Sequence, residues 1–207
     1  MNSPIRTFIA IDIPPQAKDI LAAAINGLQE RGVSEVRWTR PQGVHLTLKF
    51  LGDIDPGLVD GITDELKAAA QGEESFGLSL GSLGVFPTPT NPRVIWVGLE
   101  GDLEVLKRLQ EAVEEHISPL GFPRDKRGFT PHLTLGRVRN GLPSQKRREM
   151  GQALKKEHAI PTHRWEVQEI HLIHSTLTPE GAVYRKLGTA HLKGHPSIPS
   201  SGQAGSG

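Results

Sequence analysis

The tetrapeptide His-Leu-Thr-Leu occurs twice in this chain, at positions 45–48 and 132–135, so the two copies lie 132 − 45 = 87 residues apart. The repetition extends beyond these four residues. When the sequence is shifted by 87 residues, the β-branched segment Thr7–Ile11 aligns with Val94–Gly98. The amphipathic helical pattern from Pro15 to about Glu30 aligns in the same way with the pattern from Asp102 to about Ser118. A fixed offset of this kind is typical of an internally duplicated structural unit.

Each copy is predicted to contain a strand, a helix, a second strand carrying the tetrapeptide, and a second helix, over about eighty residues. The second helices are predicted after Asp55-Pro56 and over Ser144–Glu157, and further strands over Phe76–Val85, Glu166–Ser175 and Ala182–Leu187. We therefore predict an α+β fold. It is a duplicated two-lobe structure with pseudo-two-fold symmetry, in which antiparallel sheets line a central cleft and helices lie outside.

The domain prediction follows from length and composition. A chain of 207 residues with 36% apolar content is long enough for one sizeable core. We predict a single bilobal domain over residues 1–192. Residues 193–207, rich in Gly, Ser and Pro, are predicted to form a disordered polar tail.

Charge and cysteine content narrow the function. The net charge is +1, so the overall charge indicates no particular partner, although Arg124–Arg127 and Lys146–Arg148 are basic clusters that could meet phosphate or form a solvated face. The absence of cysteine excludes disulfides, thiolate zinc sites and a thiol nucleophile. The short apolar stretch near the N-terminus is broken by Asp12 and two prolines, so neither a secretory signal nor a membrane span is expected, and the protein is predicted to be cytoplasmic.

The tetrapeptides are predicted to place four polar side chains in one cleft. Side chains alternate between the two faces of a strand, so His45 and Thr47 point away from Leu46 and Leu48, and the second copy repeats this arrangement with His132 and Thr134. A structural role for each histidine, hydrogen-bonded on its strand, remains an alternative because duplication alone could preserve such a residue.

Two imidazoles and two hydroxyls suit metal-free phosphodiester chemistry. One imidazole acts as general base and the other as general acid, while threonine hydroxyls donate hydrogen bonds to the oxyanion. A metal site is disfavoured, because threonine stands where a ligand should be and His171 and His174, three residues apart on a strand, point to opposite faces. No Gly-x-x-x-x-Gly-Lys-[Ser/Thr] phosphate loop is present, which disfavours nucleoside triphosphate hydrolysis of that type.

The paired His-x-Thr-x motifs resemble those of the two-histidine (2H) phosphoesterase superfamily, and within it the RNA 2',3'-cyclic phosphodiesterases, also called 2'-5' RNA ligases. The likeness covers about Arg6 to Leu192. It rests on RTFIAIDIP, HLTLKFLG, FTPHLTLGRV and a late pattern of Ser175, Leu177, Gly181 and Tyr184. Gly136 stands where alanine is frequent in the family, which is a mild departure.

The resemblance implies hydrolysis of a 2',3'-cyclic phosphate RNA end to a 2'-phosphomonoester, with no cofactor and no metal. It implies that His132 is the general base and His45 the general acid, although spacing alone cannot assign the two roles. Thr47 and Thr134 would hold the nonbridging oxygens.

Five further residues are predicted around this centre. Arg137 and Arg127 are candidates to bind phosphate, with a surface ion pair as the alternative for each. Phe50, Phe129 and Tyr184 are candidates to stack on a base or contact ribose, with core packing as the alternative. The expected partners are RNA ends or nucleotides carrying a 2',3'-cyclic phosphate, and the expected state is a monomer.

Three other functions remain open on this sequence. The same site could ligate RNA through a 2'-5' bond, or cleave 2'-5' oligonucleotides or cyclic ADP-ribose phosphate. A noncatalytic protein that binds RNA ends or nucleotides is the alternative from a different class, but a pure phosphate site would more naturally use Arg or Lys than neutral imidazole.

Overall fold

A computed structural model describes residues 3–155, 160–179 and 181–194 of the chain. Those residues form nine strands and four α-helices. The strands are β1 (Ile5–Asp12), β2 (Val36–Trp38), β3 (His45–Ile54), β4 (Phe76–Thr88), β5 (Asn91–Gly101), β6 (His132–Val138), β7 (Arg164–Val167), β8 (Glu169–Thr178) and β9 (Gly181–His191). The helices are α1 (Pro15–Glu30), α2 (Val59–Ala70), α3 (Leu103–Ile117) and α4 (Ser144–Lys155).

The described strands form one antiparallel sheet in the order β7-β4-β5-β6-β3-β1-β8-β9. The short strand β2 pairs with the C-terminal end of β6. The order has a two-fold pattern, because β6, β5, β4 and β7 on one side correspond to β3, β1, β8 and β9 on the other. The two halves meet at a single registered pair, Leu46 opposite Leu133. The predicted α+β fold with two antiparallel halves is therefore confirmed, and the two halves join into one curled sheet.

The duplication is visible in the backbone as well as in the order of elements. On β3 the register to β1 skips Leu48, and on β6 the register to β5 skips Leu135, which is the same position 87 residues later. Each skipped leucine is a β-bulge, so two successive residues lie opposite one partner. Strict alternation would place residues 49 and 136 on the same face as the histidines. The bulge places Phe50 and Arg137 there.

The main core lies between the sheet and the helices. α1 buries Ala17, Leu21, Ile25 and Leu28, which recur at the helical spacing seen in the sequence. Pro15 occupies the first turn of α1, and Gly32, with φ 86°, lies just beyond its end, where a left-handed conformation favours glycine. The predicted stop of this helix is confirmed.

A close packing contact explains glycine at position 136. A Cβ there would lie 2.6 Å from Val36 Cγ1 and 3.0 Å from Trp38 Cε3, both on the neighbouring strand β2. Glycine is therefore required for β2 to approach β6 this closely. The departure from alanine noted in the sequence has a local steric reason.

Two predictions fall partly outside the described residues. The helix predicted over Ser144–Glu157 is described to Lys155, and the predicted tail over residues 193–207 is described only at Lys193 and Gly194, where Lys193 forms a parallel bridge with Glu74. In the ranges covered, no helix has the length and apolar composition needed to cross a membrane.

Candidate active site

A cleft of about 790 Å³ lies where the two halves of the sheet meet, on the face turned away from the main core. Residues from both halves line it. Every side chain predicted for the site lies along this cleft, although the sequence positions span most of the chain: His45, Thr47, Phe50, Arg127, Phe129, His132, Thr134, Arg137 and Tyr184.

The strand register brings the two motifs together. Because Leu46 pairs with Leu133 in antiparallel sense, His45 falls opposite Thr134 and Thr47 opposite His132. The leucines point into the core, where their exposed fractions are 1% and 0%, so the four polar side chains share the other face. The two histidines are diagonal neighbours, for which the spacing in a paired sheet is about 7 to 8 Å.

Both imidazoles are anchored by the same backbone contact. His45 Nδ1 lies 2.8 Å from the carbonyl oxygen of Gly43, and His132 Nδ1 lies 2.7 Å from that of Thr130. A carbonyl only accepts, so each Nδ1 carries the proton and donates it, and each Nε2 is the nitrogen available for proton transfer. Gly43 and Thr130 are themselves 87 residues apart, so the two backbone anchors occupy equivalent positions of the repeat. Because the two residues differ in type, the sequence alone does not indicate this equivalence.

The surroundings of the two histidines differ. His45 stacks on Phe8 with ring centroids 4.5 Å apart, and the ring of Tyr184 meets it edge-on at 5.1 Å. His132 meets the ring of Phe86 edge-on at 5.1 Å. Sequence reasoning missed Phe8 and Phe86 because neither belongs to a motif that implies a role.

This environment lowers the pKa of His45 below the ordinary histidine value. Burial among aromatic rings is the largest cause, since it disfavours the charged imidazolium. The hydrogen bond to Gly43 and the carboxylate of Asp12 act in the opposite direction, and the ammonium of Lys18 adds to the lowering. His45 is therefore held mainly in the neutral form at neutral pH.

The threonines are free to bind a ligand. Thr47 and Thr134 are half-buried in the cleft wall, and within the described part of the chain neither hydroxyl forms a hydrogen bond. An unengaged hydroxyl beside each imidazole can donate to an oxyanion without adding charge.

The two predicted arginines differ in their surroundings. Arg127 Nη2 lies 2.7 Å from Asp125 Oδ2, and this pair holds the pKa of Asp125 at about 2. Arg127 therefore forms the surface ion pair that was predicted as the alternative to phosphate binding. Arg137 is exposed, and no carboxylate among the described residues pairs with it.

Arg6 is a cleft residue that sequence reasoning missed as a candidate. It lines the same cleft, and together with Arg137 it lowers the pKa of Tyr184, whose net shift is upward because burial dominates. Both guanidinium groups therefore lie near the Tyr184 hydroxyl, and the cleft has positive charge from both halves.

The three predicted aromatic residues differ in how far they are exposed to the cleft. Phe50 is 65% exposed and Leu177 is 66% exposed, and both line the cleft, so each offers apolar surface to a ligand. Phe129 lines the cleft and packs partly on the main core, and Tyr184 packs on Phe8 and His45. The core-packing alternative thus holds in part for Phe129 and Tyr184.

A buried ion pair supports one side of the cleft. Lys49 Nζ donates to Glu114 Oε2 and, at 2.9 Å, to the carbonyl oxygen of Pro123, while Gln110 Nε2 donates to the carbonyl of Leu48 at 3.4 Å. Lys49 and Glu114 are 3% and 8% exposed. The pair ties β3 and α3 to the segment that leads from Pro123 to His132.

Across the described ranges, no three side chains of His, Asp or Glu come together as a metal site would require.

A family model and similar named proteins both place this chain in the same family. A model of the 2'-5' RNA ligase superfamily matches residues 17–178. A protein of Archaeoglobus fulgidus named RNA 2',3'-cyclic phosphodiesterase is 34% identical over 182 residues, covering 88% of this chain and 97% of that protein. A protein of the same name from Thermotoga maritima is 32% identical over 189 residues, covering 91% and 96%.

Solved structures share the fold. A crystal structure of a Thermus thermophilus protein aligns with a TM-score of 0.72 and 26% identity, covering 92% of this chain and 99% of that one. E. coli LigT complexed with 3'-AMP aligns with a TM-score of 0.70 and 21% identity over the same shares.

Proposed function

This chain belongs to the 2'-5' RNA ligase superfamily, and from that membership we propose that it hydrolyses RNA 2',3'-cyclic phosphate ends to 2'-phosphomonoesters through metal-independent catalysis by His45 and His132. The resemblance first seen in the two motifs is thus confirmed at the family level. The observation that carries the proposed chemistry is the paired anchoring of both imidazoles, each with Nδ1 on a backbone carbonyl and Nε2 available in one cleft.

The reaction breaks one bond and forms another at phosphorus. The base removes a proton from water, the oxygen of that water attacks phosphorus, the bond to the 3' oxygen breaks, and the acid protonates that oxygen as it leaves. In-line attack requires base and acid on opposite sides of phosphorus. The diagonal placement of the histidines across the β3–β6 pair suits this requirement.

The remaining residues stabilise charge. Thr47 and Thr134 donate to the nonbridging oxygens, and Arg137 offsets the negative charge that builds up on them. Each positioned acid or base contributes about 10²- to 10⁴-fold in rate, and each oxyanion donor about 10²- to 10³-fold. Phe50 offers its exposed ring to the base of the terminal nucleotide.

We assign His132 as base and His45 as acid, as the family resemblance implies. The lowered pKa of His45 makes its imidazolium a stronger acid toward the leaving oxygen, but it also reduces the protonated fraction of the free enzyme at neutral pH. An anionic phosphate bound beside the ring favours the imidazolium. Substrate binding and protonation of His45 are therefore coupled.

The decisive experiment incubates the protein with a 2',3'-cyclic mononucleotide and a chelator and identifies the product. We expect the 2'-phosphate, with His45→Ala and His132→Ala each reducing kcat by about 10²- to 10⁴-fold. His116→Ala is the matched control, because His116 lies outside the cleft and pairs with Glu65 on the helical surface.

The outcomes of this experiment distinguish the proposal from its alternatives. Loss of turnover in chelator would overturn metal independence. A folded variant of either cleft histidine with near-native rate would remove that residue from the chemistry, and binding without turnover would support the noncatalytic alternative. Formation of a 2'-5' linkage from a cyclic phosphate end and a 5'-hydroxyl end would show that the same site also ligates.

We also propose that the enzyme acts as a cytoplasmic monomer. All the site residues come from one chain, so the cleft requires no second subunit. Light scattering on the purified protein tests the monomer, and cell fractionation tests the location.

A further inference from the structure

A second cavity of about 870 Å³ adjoins the catalytic cleft and is lined by arginines. We call it the arginine groove, and it is defined by Arg37, Arg93, Arg137, Arg139 and Arg147. The other residues along it are uncharged. Five positive charges and no acidic side chain therefore share one concave surface.

The charges of the groove are not compensated within the described protein. None of the five arginines pairs with a carboxylate there, whereas Arg108, Arg124 and Arg127 elsewhere each do. Arg147 donates to the backbone carbonyls of Leu142 and Pro92, at 3.0 and 3.2 Å, and this positions its guanidinium without neutralising it.

The strand pairing adds to the repulsion. Arg37 on β2 lies directly opposite Arg137 on β6, and like charges in that position destabilise a sheet. The arrangement is unfavourable in the free protein, so its natural complement is a ligand with several negative charges.

The groove and the cleft are continuous. Arg137 lines both cavities, and it lies on β6 three residues beyond Thr134 and five beyond His132. A chain bound at the histidines therefore reaches the groove without leaving the protein surface.

The chemistry of the proposed substrate indicates what would lie there. A 2',3'-cyclic phosphate terminates the 3' end of an RNA strand, so the rest of the strand leaves the site in the 5' direction with one phosphodiester per nucleotide. Arginine presents a planar set of donors that matches phosphate oxygens two at a time.

We propose that the arginine groove binds the backbone phosphates immediately 5' of the terminal nucleotide, so that the enzyme acts on RNA strands in preference to mononucleotides. This inference rests on the proposed function for the terminal phosphate. It adds to that function a second binding surface and a preference for longer strands.

The test compares two substrates that end in the same cyclic phosphate, a short oligoribonucleotide and a mononucleotide. The variant Arg37→Gln/Arg139→Gln leaves Arg137 and the cleft intact. We expect KM for the oligonucleotide to rise about tenfold while kcat/KM for the mononucleotide stays at the wild-type value. The salt dependence of log(kcat/KM) for the oligonucleotide is expected to flatten by about 0.7 for each lost phosphate contact.

The matched control is Lys67→Gln/Lys107→Gln, which removes the same two charges from exposed helical pairs away from both cavities. Equal KM values for the oligonucleotide in wild type and groove variant would overturn the proposal, and so would an equal loss in the control. Competition by a glutamate peptide as strong as that by an oligonucleotide of equal charge would overturn the assignment to RNA.

Failure of the proposed function is distinguishable from failure of the groove. If the wild type hydrolyses neither the mononucleotide nor the oligonucleotide, the proposed activity is wrong. The groove is then judged by fluorescence anisotropy with a labelled oligoribonucleotide that ends in a 2'-phosphate. Weaker binding by the groove variant than by the control variant still supports the groove, and equal binding overturns it.

Discussion

At the scale of single residues, the two histidines have the same backbone anchor but different surroundings. His45 is enclosed by Phe8 and Tyr184, whereas His132 makes T-shaped contacts with Phe86 and Trp96. Identical tetrapeptides therefore give chemically different imidazoles, because the rings that enclose them come from other strands. The proposed division of roles between an acid and a base requires such a difference.

The pH dependence of His45 is the prediction at this scale. The pKa of His45 is expected below 6.5 in the free protein, so its protonated fraction declines as the pH rises through that lowered value. If His45 is the acid, kcat/KM at alkaline pH is proportional to that protonated fraction. Asp12→Asn removes a carboxylate that raises the pKa of His45, so the titration should move to still lower pH and kcat/KM at alkaline pH should fall.

Histidine NMR titration of the wild type and Asp12→Asn measures the first effect, and pH–rate profiles measure the second. His45→Ala identifies the resonance. An unchanged kcat/KM at alkaline pH in Asp12→Asn, while the His45 titration moves, would show that His45 is not the acid.

At the scale of elements, the paired bulges decide which residues face the cleft. Leu48 and Leu135 each interrupt the alternation, and this moves Phe50 and Arg137 to the cleft side. Lys49 and Gly136, which precede Phe50 and Arg137, then turn toward the core. The buried ammonium of Lys49 requires a partner, and the absence of a side chain at Gly136 allows β2 to approach. Lys49 finds Glu114 on α3, and the pair also contacts the backbone of Pro123.

We expect Lys49→Met to lower the free energy of unfolding by about 3 to 5 kcal/mol, because it leaves the carboxylate of Glu114 buried without its cation. The double variant Lys49→Met/Glu114→Leu should recover much of that loss, since neither charge then remains buried. Urea denaturation measures both. A double variant as unstable as the single one would show that packing, and not the unpaired charge, causes the loss.

At the scale of the whole molecule, the two halves have diverged in what they present to the cleft. Phe50 and Arg137 occupy equivalent positions 87 residues apart, so one half presents an aromatic ring where the other presents a guanidinium. At these equivalent positions the first half thus offers apolar surface and the second offers positive charge, which the arginine groove extends. A symmetric scaffold in this way presents two chemically different surfaces.

The stability of the whole molecule is expected to depend on the buried His171. Burial is the largest cause that lowers the pKa of His171 to about 4, and the neighbouring Lys186 ammonium adds to it, while Glu169 and Asp12 oppose it. Between about pH 6.5 and 4 the unfolded chain binds a proton at this site that the folded protein does not. Stability is therefore expected to decline as the pH falls through that window.

The expected loss from this residue between pH 7 and pH 5 is about 2 kcal/mol. Urea denaturation at the two pH values measures it in the wild type, in His171→Gln, and in His116→Gln as the exposed control. The pH dependence should shrink only in His171→Gln. An equal slope in all three proteins would show that other groups cause the acid sensitivity.

The duplicated architecture and the central side chains could be predicted from the sequence. The repeat at an offset of 87 residues and the alternation around each His-x-Thr pair are local patterns, so they predict strands, helices and the face on which His45, Thr47, His132 and Thr134 lie. The arrangement of the halves in one sheet and the surroundings of each imidazole depend on contacts between distant segments, which no local pattern contains.

Residue types and periodicity alone therefore determined a two-fold α+β chain with two imidazoles and two hydroxyls directed to a shared cleft. Only the tertiary structure decided that Phe8 and Tyr184 enclose one histidine, that Lys49 is buried against Glu114, and that arginines from β2, β5, β6 and α4 meet in one groove. The physical reason is that burial and charge are properties of the space around a side chain. That space is built by residues far away in the sequence.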